Sequence, residues 1–153
     1  MHEAPFDTRL HRRLTDALYV EAMLLADEAR DYFDERGRAE REALVPLTRV
    51  AFSCESLKVT TRLMHVIAWL LTQRAIAAGE MRPELGLDPS RRLGEQPATD
   101  EAALADLPPR AVALIGASVD LHRRVALLDE AQAAGHDAAS PVRALQDRLA
   151  SSF

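Results

Sequence analysis

Residues 46–79 read PLTRVAFSCESLKVTTRLMHVIAWLLTQRAIAAG, and no glycine or proline interrupts the run between Pro46 and Gly79. Pro46 suits a first helical position, because the N–H it lacks would have no intrahelical acceptor there. Gly79 marks the other end. A helix over 46–78 has roughly 33 residues and is ~50 Å long at 1.5 Å per residue, enough to be the spine of the fold.

Upstream, Leu14, Leu18, Ala22, Leu25, Ala29 and Phe33 recur at helical spacing, with Asp16, Glu21, Asp27, Glu28 and Arg30 largely elsewhere. This pattern predicts a helix over 8–36, capped by Asp7 or Thr8 and closed by a left-handed Gly37. Arg38 to Leu44 is a charged connection. Downstream, Gly79, Gly86 and Gly94 alternate with Pro83, Pro89 and Pro97, and helical periodicity stops. The stretch 80–108 therefore reads as a long connector with a short helix near Thr99 to Ala105, either mobile or functional. Pro108 and Pro109 open a third helix, 109–134, in which Leu114, Leu121 and Leu128 recur every seventh residue. Ala117 and Val125 fill its other seam positions and Gly135 ends it. Val142, Leu145 and Leu149 mark a short, weak C-terminal helix at 141–150.

These elements predict an all-α fold: one domain over 1–153, an antiparallel three-helix bundle in up-down-up order around a long central helix. Its expected core is Leu18, Leu25, Leu63, Ile67, Leu70, Leu114, Leu121 and Leu128. Composition agrees, since 48% of the 153 residues are hydrophobic, 28% charged and only 5% aromatic. A net charge of −5 supplies no overall basic field to displace counterions, so neither nucleic acid nor an anionic membrane is an expected partner. Cys54 is the only cysteine and cannot form an internal disulfide, and Met1 to Asp7 lacks the charged-then-apolar pattern of a secretory leader. A cytoplasmic protein is expected.

Catalytic motifs are missing. A di-iron carboxylate bundle needs Glu-x-x-His on two helices, and the residues three before His65 and His122 are Arg62 and Val119. The five histidines, His2, His11, His65, His122 and His136, lie on separate segments and have no cysteine cluster to join. Gly116-Ala117-Ser118 lacks the strand and the second glycine of a nucleophile elbow. No Gly-rich phosphate loop is present either. No catalytic residue, metal ligand or cofactor is expected; a cryptic enzyme is the outside alternative, because a helix bundle can carry a site without a motif.

The spine itself is apolar too far round. Leu57, Val59, Leu63, Met64, Val66, Ile67, Ala68, Leu70, Leu71 and Ala75 spread over roughly 200° of its circumference. A membrane span does not account for them, since Leu63 to Leu71 is short, contains His65 and lies between Arg62 and Arg74. The surplus calls for a second cover, either a second copy of the chain, giving a homodimer, or the connector or C-terminal helix folded over that face. The remaining arc holds Glu55, Lys58, Arg62, His65, Trp69 and Gln73, three or four residues apart and so one continuous polar ridge. One reading is a solvated face with a local Glu55–Lys58 pair. The other is a protein-interaction surface anchored by Arg62 and Trp69, residue types that carry interface energy. Sharing a face with Arg62, His65 and Gln73 places Trp69 outward, first as a dimer contact whose indole N–H would seek an acceptor such as a glutamate across the interface.

The same spine carries a resemblance. Glu55-Ser56-Leu57-x-x-Thr60-Thr61-Arg62-Leu63-Met64, Ala68-Trp69-Leu70-Leu71-x-Gln73-Arg74-Ala75 and Gly79-Glu80-Met81 resemble the signature of the alphaproteobacterial RcdA family. The likeness extends to Ala29-Arg30-Asp31-Tyr32-Phe33-Asp34, to Leu107-Pro108-Pro109-Arg110, and to Leu121-His122-Arg123-Arg124-Val125 with Leu128-Asp129-Glu130, covering most of 7–132. It implies a cytosolic, dimeric three-helix protein without catalytic activity, an adaptor that helps bring cell-cycle regulators to the ClpXP protease. It implies protein partners, the ClpX unfoldase and client regulators, and a connector and C-terminal tail that tend to be disordered. It transfers no functional residue position by position. A generic helical interaction or regulatory protein needs only the physics and is the second reading.

Overall fold

A computed structural model describes residues 8–152, with the side chains of all but 137–144 and 147. Helix α1 spans Thr8–Asp31 and continues into a wider π turn, Tyr32–Arg36; a short α2, Arg38–Glu42, follows. Helix α3 spans Pro46–Ala77, as its uninterrupted sequence predicts. The connector holds a 3₁₀ turn, Pro83–Leu87, and a single helical turn α4, Glu101–Leu104, before α5, Pro109–Ala150. No strand occurs among the described residues.

Three expectations about helix ends are corrected. Gly37 has φ −82° and is not left-handed. It is glycine for space: the Gly37 N–H donates to the Tyr32 carbonyl at 2.6 Å, closing the π turn, and a Cβ there would lie 2.7 Å from that oxygen. Gly79, with φ +76°, is the left-handed residue beyond α3. The third helix does not stop at 134, nor is 141–150 a separate helix, because α5 runs on through Gly135 and Pro141 to Ala150. Gly135 keeps helical φ, and the alanine-rich sequence on both sides favours continuation strongly enough to carry one proline. Asp7, one candidate cap of α1, and the Val142 side chain lie outside what is described.

The helix order is also corrected. Helix α1 runs antiparallel to α5, since Glu21 pairs with Arg124 while Glu28 pairs with Arg110. It runs antiparallel to α3 as well: Phe33 near its end meets Phe52, and His11 near its start meets Trp69. Helices α3 and α5, however, are parallel. Arg62 bonds Ser118, Trp69 bonds Asp129 and Gln73 bonds Gln132, so both helices advance together. Antiparallel neighbours need only a short loop, whereas a parallel pair obliges the chain to return the whole length of the first helix. That return is the task of the connector.

One core joins the three long helices. Leu18, Leu25, Leu63, Leu70, Leu114 and Leu121 are buried as expected, while Ile67 and Leu128 are partly buried against them. Phe52, Val59, Val66, Trp69 and Val125 are buried in the same core. On α5 the seam position is Ser118, wholly buried, and not Ala117, which is exposed; 111, 114, 118, 121 and 125 keep the three-four spacing that 117 would break.

Candidate functional site

The buried arc of α3 is split lengthwise. Phe52, Val59, Leu63, Val66 and Leu70 form an apolar strip, and Glu55, Arg62, Trp69 and Gln73 form a polar strip beside it. The expectation of an outward-facing ridge is therefore corrected for four of its six residues. Arg62 is 0% exposed and Trp69 2%; Glu55 and Gln73 are equally hidden, Lys58 is half-buried, and only His65 is exposed. The physical reason is the connector, which returns over this strip in the angle between α3 and α5. Trp69 makes no use of an acceptor across a dimer interface: its indole N–H donates to Asp129 of the same chain at 3.0 Å.

Two clasps hold the connector down. At the first, Arg92 Nε donates to both oxygens of Asp129 at 2.9 Å, so that one buried carboxylate serves Arg92 and Trp69 together. At the second, Arg62 Nη2 donates to the Pro97 carbonyl at 2.8 Å and to the Thr99 hydroxyl, and its Nη1 reaches Ser118 Oγ at 3.4 Å. Thr99 Oγ1 and the Asp100 N–H donate in turn to Glu55, both at 3.3 Å, and Lys58 Nζ lies 3.2 Å from the same carboxylate. Burial pulls the Arg62 guanidinium below its ordinary pKa and Glu55 opposes this; the group stays charged. Between the clasps His122 hydrogen-bonds the Gly94 backbone, and burial, aided by His65 and Arg62, pushes its imidazole below the usual value of 6.5. Gln73 closes the far end, where its Oε1 meets His11 Nε2 and Gln132 Nε2, each at 2.9 Å.

Sequence reasoning missed Arg92, Thr99, Ser118, His122 and Asp129. A signal existed for three of them. Ser118, His122, Asp129 and Gln132 recur at helical spacing as a second polar ridge, on the helix that runs parallel to α3. Arg92 and Thr99 sit in a segment without periodicity, which announces nothing about where it packs.

The opposite side of α3 is left uncovered by the described residues. Leu57 is 68% exposed and Met64 63%, and Leu47, Val50 and Leu71 are exposed with them. With Cys54, Thr61, Ala68 and Ala75 interleaved, the stripe advances by alternate steps of three and four, the spacing of a coiled-coil seam. Its apolar surplus is thus real, and the connector lies elsewhere. Among the described residues no group of three or more His, Cys, Asp or Glu could hold a metal ion, and no helix is long and apolar enough to cross a membrane.

An all-helical chain of three long helices, a strapped polar seam and an open apolar stripe has the features of a helical interaction protein. Residues 6–153 match the family described as "Protein of unknown function (DUF1465)", and the chain belongs to that family. Among solved structures it is similar to RcdA from Caulobacter crescentus CB15, at 34% identity with a TM-score of 0.65, covering 78% of this chain and 90% of that one. The family is RcdA-like. No curated protein matches.

Proposed function

We propose that this protein is a non-catalytic cytoplasmic adaptor of the RcdA kind, helping to deliver cell-cycle regulators to the ClpXP protease, and that it works as a homodimer. The observation that carries the reading is the likeness to RcdA, which extends over most of both chains. The dimer reading rests on the outward stripe of α3: an apolar seam of this length left in water invites a partner, and a twofold copy of the same seam is the simplest complement. The test reconstitutes ClpXP with a response-regulator client and adds the protein in increasing amounts. The client should disappear faster as the protein is added, and immobilised protein should retain both ClpX and client. Unchanged degradation at saturating protein, together with no retention of either, overturns the adaptor reading.

A further inference from the structure

We propose that the connector is a displaceable strap occupying a peptide-binding groove between α3 and α5, and that an extended partner segment of matching chemistry takes its place. The matching chemistry is an arginine for Asp129 and, five to seven residues on, a carbonyl and a hydroxyl for Arg62, as the strap presents them at Arg92, Pro97 and Thr99. The inference stands whether or not the adaptor reading holds.

The strap has the form of a bound peptide. From Gly86, packed against Ile76, to Asp100 at Glu55, it runs opposite in direction to α3. It covers in 14 steps what α3 covers in 21, about 32 Å at the helical rise: a turn at 88–92 is followed by an irregular run without helix over 93–100. It is held mainly by polar side chains: between 80 and 106 only Gly86 is fully buried, and the apolar residues Met81, Leu87, Leu93, Pro97, Ala103 and Leu104 are buried in part. A segment with so little apolar burial opens at a small fraction of the global unfolding free energy.

The floor beneath it is built to tolerate opening. Glu55, Arg62, His122 and Asp129 are groups that water can satisfy, so lifting the strap hydrates charge and uncovers Trp69 as the one large apolar surface. Tryptophan beside arginine is also the pairing that anchors interfaces. The strap is, moreover, an imperfect occupant. Arg62 Nε, His122 Nε2 and Gln96 Oε1 are buried along this seam with no hydrogen-bond partner among the described residues. Each such orphan costs free energy that a better-matched segment recovers.

The probe is a fluorescent synthetic peptide of residues 88–100, tested against the full chain and against its Arg92→Ala variant, which undoes the first clasp, and its Thr99→Ala variant, which removes the side-chain bonds of the second. An attached strap competes at high local concentration, so the peptide should bind Arg92→Ala about tenfold or more tightly than the unaltered chain. Trp69 should become accessible to acrylamide quenching in Arg92→Ala, with helical circular dichroism unchanged, and added peptide should shield it again. A peptide with alanine at position 92 should fail to do so, and Asp129→Asn in the chain should abolish binding. Trp69 as shielded as before in both clasp variants, with no peptide bound, overturns the proposal. Loss of helical content in both variants also overturns it, because the strap would then be part of the cooperative core.

Discussion

The two buried strips of α3 lie side by side and are stabilised by different physics. Phe52, Val59, Leu63, Val66 and Leu70 need only to be kept from water, and any well-packed apolar neighbour does that. Glu55, Arg62, Trp69 and Gln73 need particular partners at particular angles, and they find them on α5 and the connector. The apolar strip therefore sets that the helices pack, and the polar strip sets how: which direction α5 runs and where the returning chain lies.

Trp69 stands in the polar strip with an apolar ring and is the place to break the comparison hardest. Its ring is in the core and its N–H is bonded to Asp129. Trp69→Ala should cost about 3–5 kcal/mol in chemical denaturation, since it leaves a large cavity and deprives a buried carboxylate of a donor. Trp69→Phe keeps most of the volume and removes the N–H, so its cost of about 1–2 kcal/mol isolates the polar share. A Trp69→Ala loss below about 1 kcal/mol would mean that the seam is not part of the folded unit.

His122 offers a finer instrument, because it reads the polar strip alone. Burial holds its folded pKa below the 6.5 of the free group, and the surroundings that bear on it are Arg62, His65 and the Gly94 backbone. The neutral ring is favoured in the folded state, so its contribution is fully present above the unfolded pKa and is lost as pH falls through about 6.5 toward the lower folded value. Between these values the unfolded chain binds the extra proton, and stability must rise with pH. Thermal melts from pH 5 to 7.5 should show this slope, and His122→Gln should flatten it. A slope that survives the substitution places the titration elsewhere.

The difference between the strips also explains what was legible in the sequence. Proline and glycine bracket α3 almost to the residue, and periodicity names the core leucines Leu18, Leu25, Leu63, Leu70, Leu114 and Leu121, because both are local rules. The polar ridge was equally legible as a ridge. Periodicity identifies a face, however, and says nothing of what covers it; Arg62 and Trp69 look outward until the connector is laid over them. The covering segment is irregular and glycine- and proline-rich, and its side-chain attachments, Arg92 and Thr99, follow no repeating pattern. The parallel course of α3 and α5 had a clue in the connector's length, which far exceeds what an antiparallel turn requires. Gly37 misled for a different reason: it is glycine for the approach of Tyr32, and sequence does not separate that need from a left-handed cap.

The third strip of α3, facing outward, completes the comparison with the smallest effect on the fold. Leu57 lies in the middle of the exposed stripe and touches neither of the buried ones. Leu57→Lys should therefore change the stability of the isolated chain by less than about 0.5 kcal/mol, as surface substitutions do. On self-association its effect should be large, because a lysine at the centre of an apolar seam must either be desolvated or hold the copies apart, and in a twofold contact both copies bring one. Sedimentation at micromolar concentration should show the unaltered chain as a dimer and Leu57→Lys shifted toward monomer, with superimposable circular dichroism. An unaltered chain that sediments as a monomer would reassign the stripe to a different protein. A dimer indifferent to Leu57→Lys would move the contact to another face, such as the groove of Leu14, Leu18, Leu127 and Leu128 between α1 and α5.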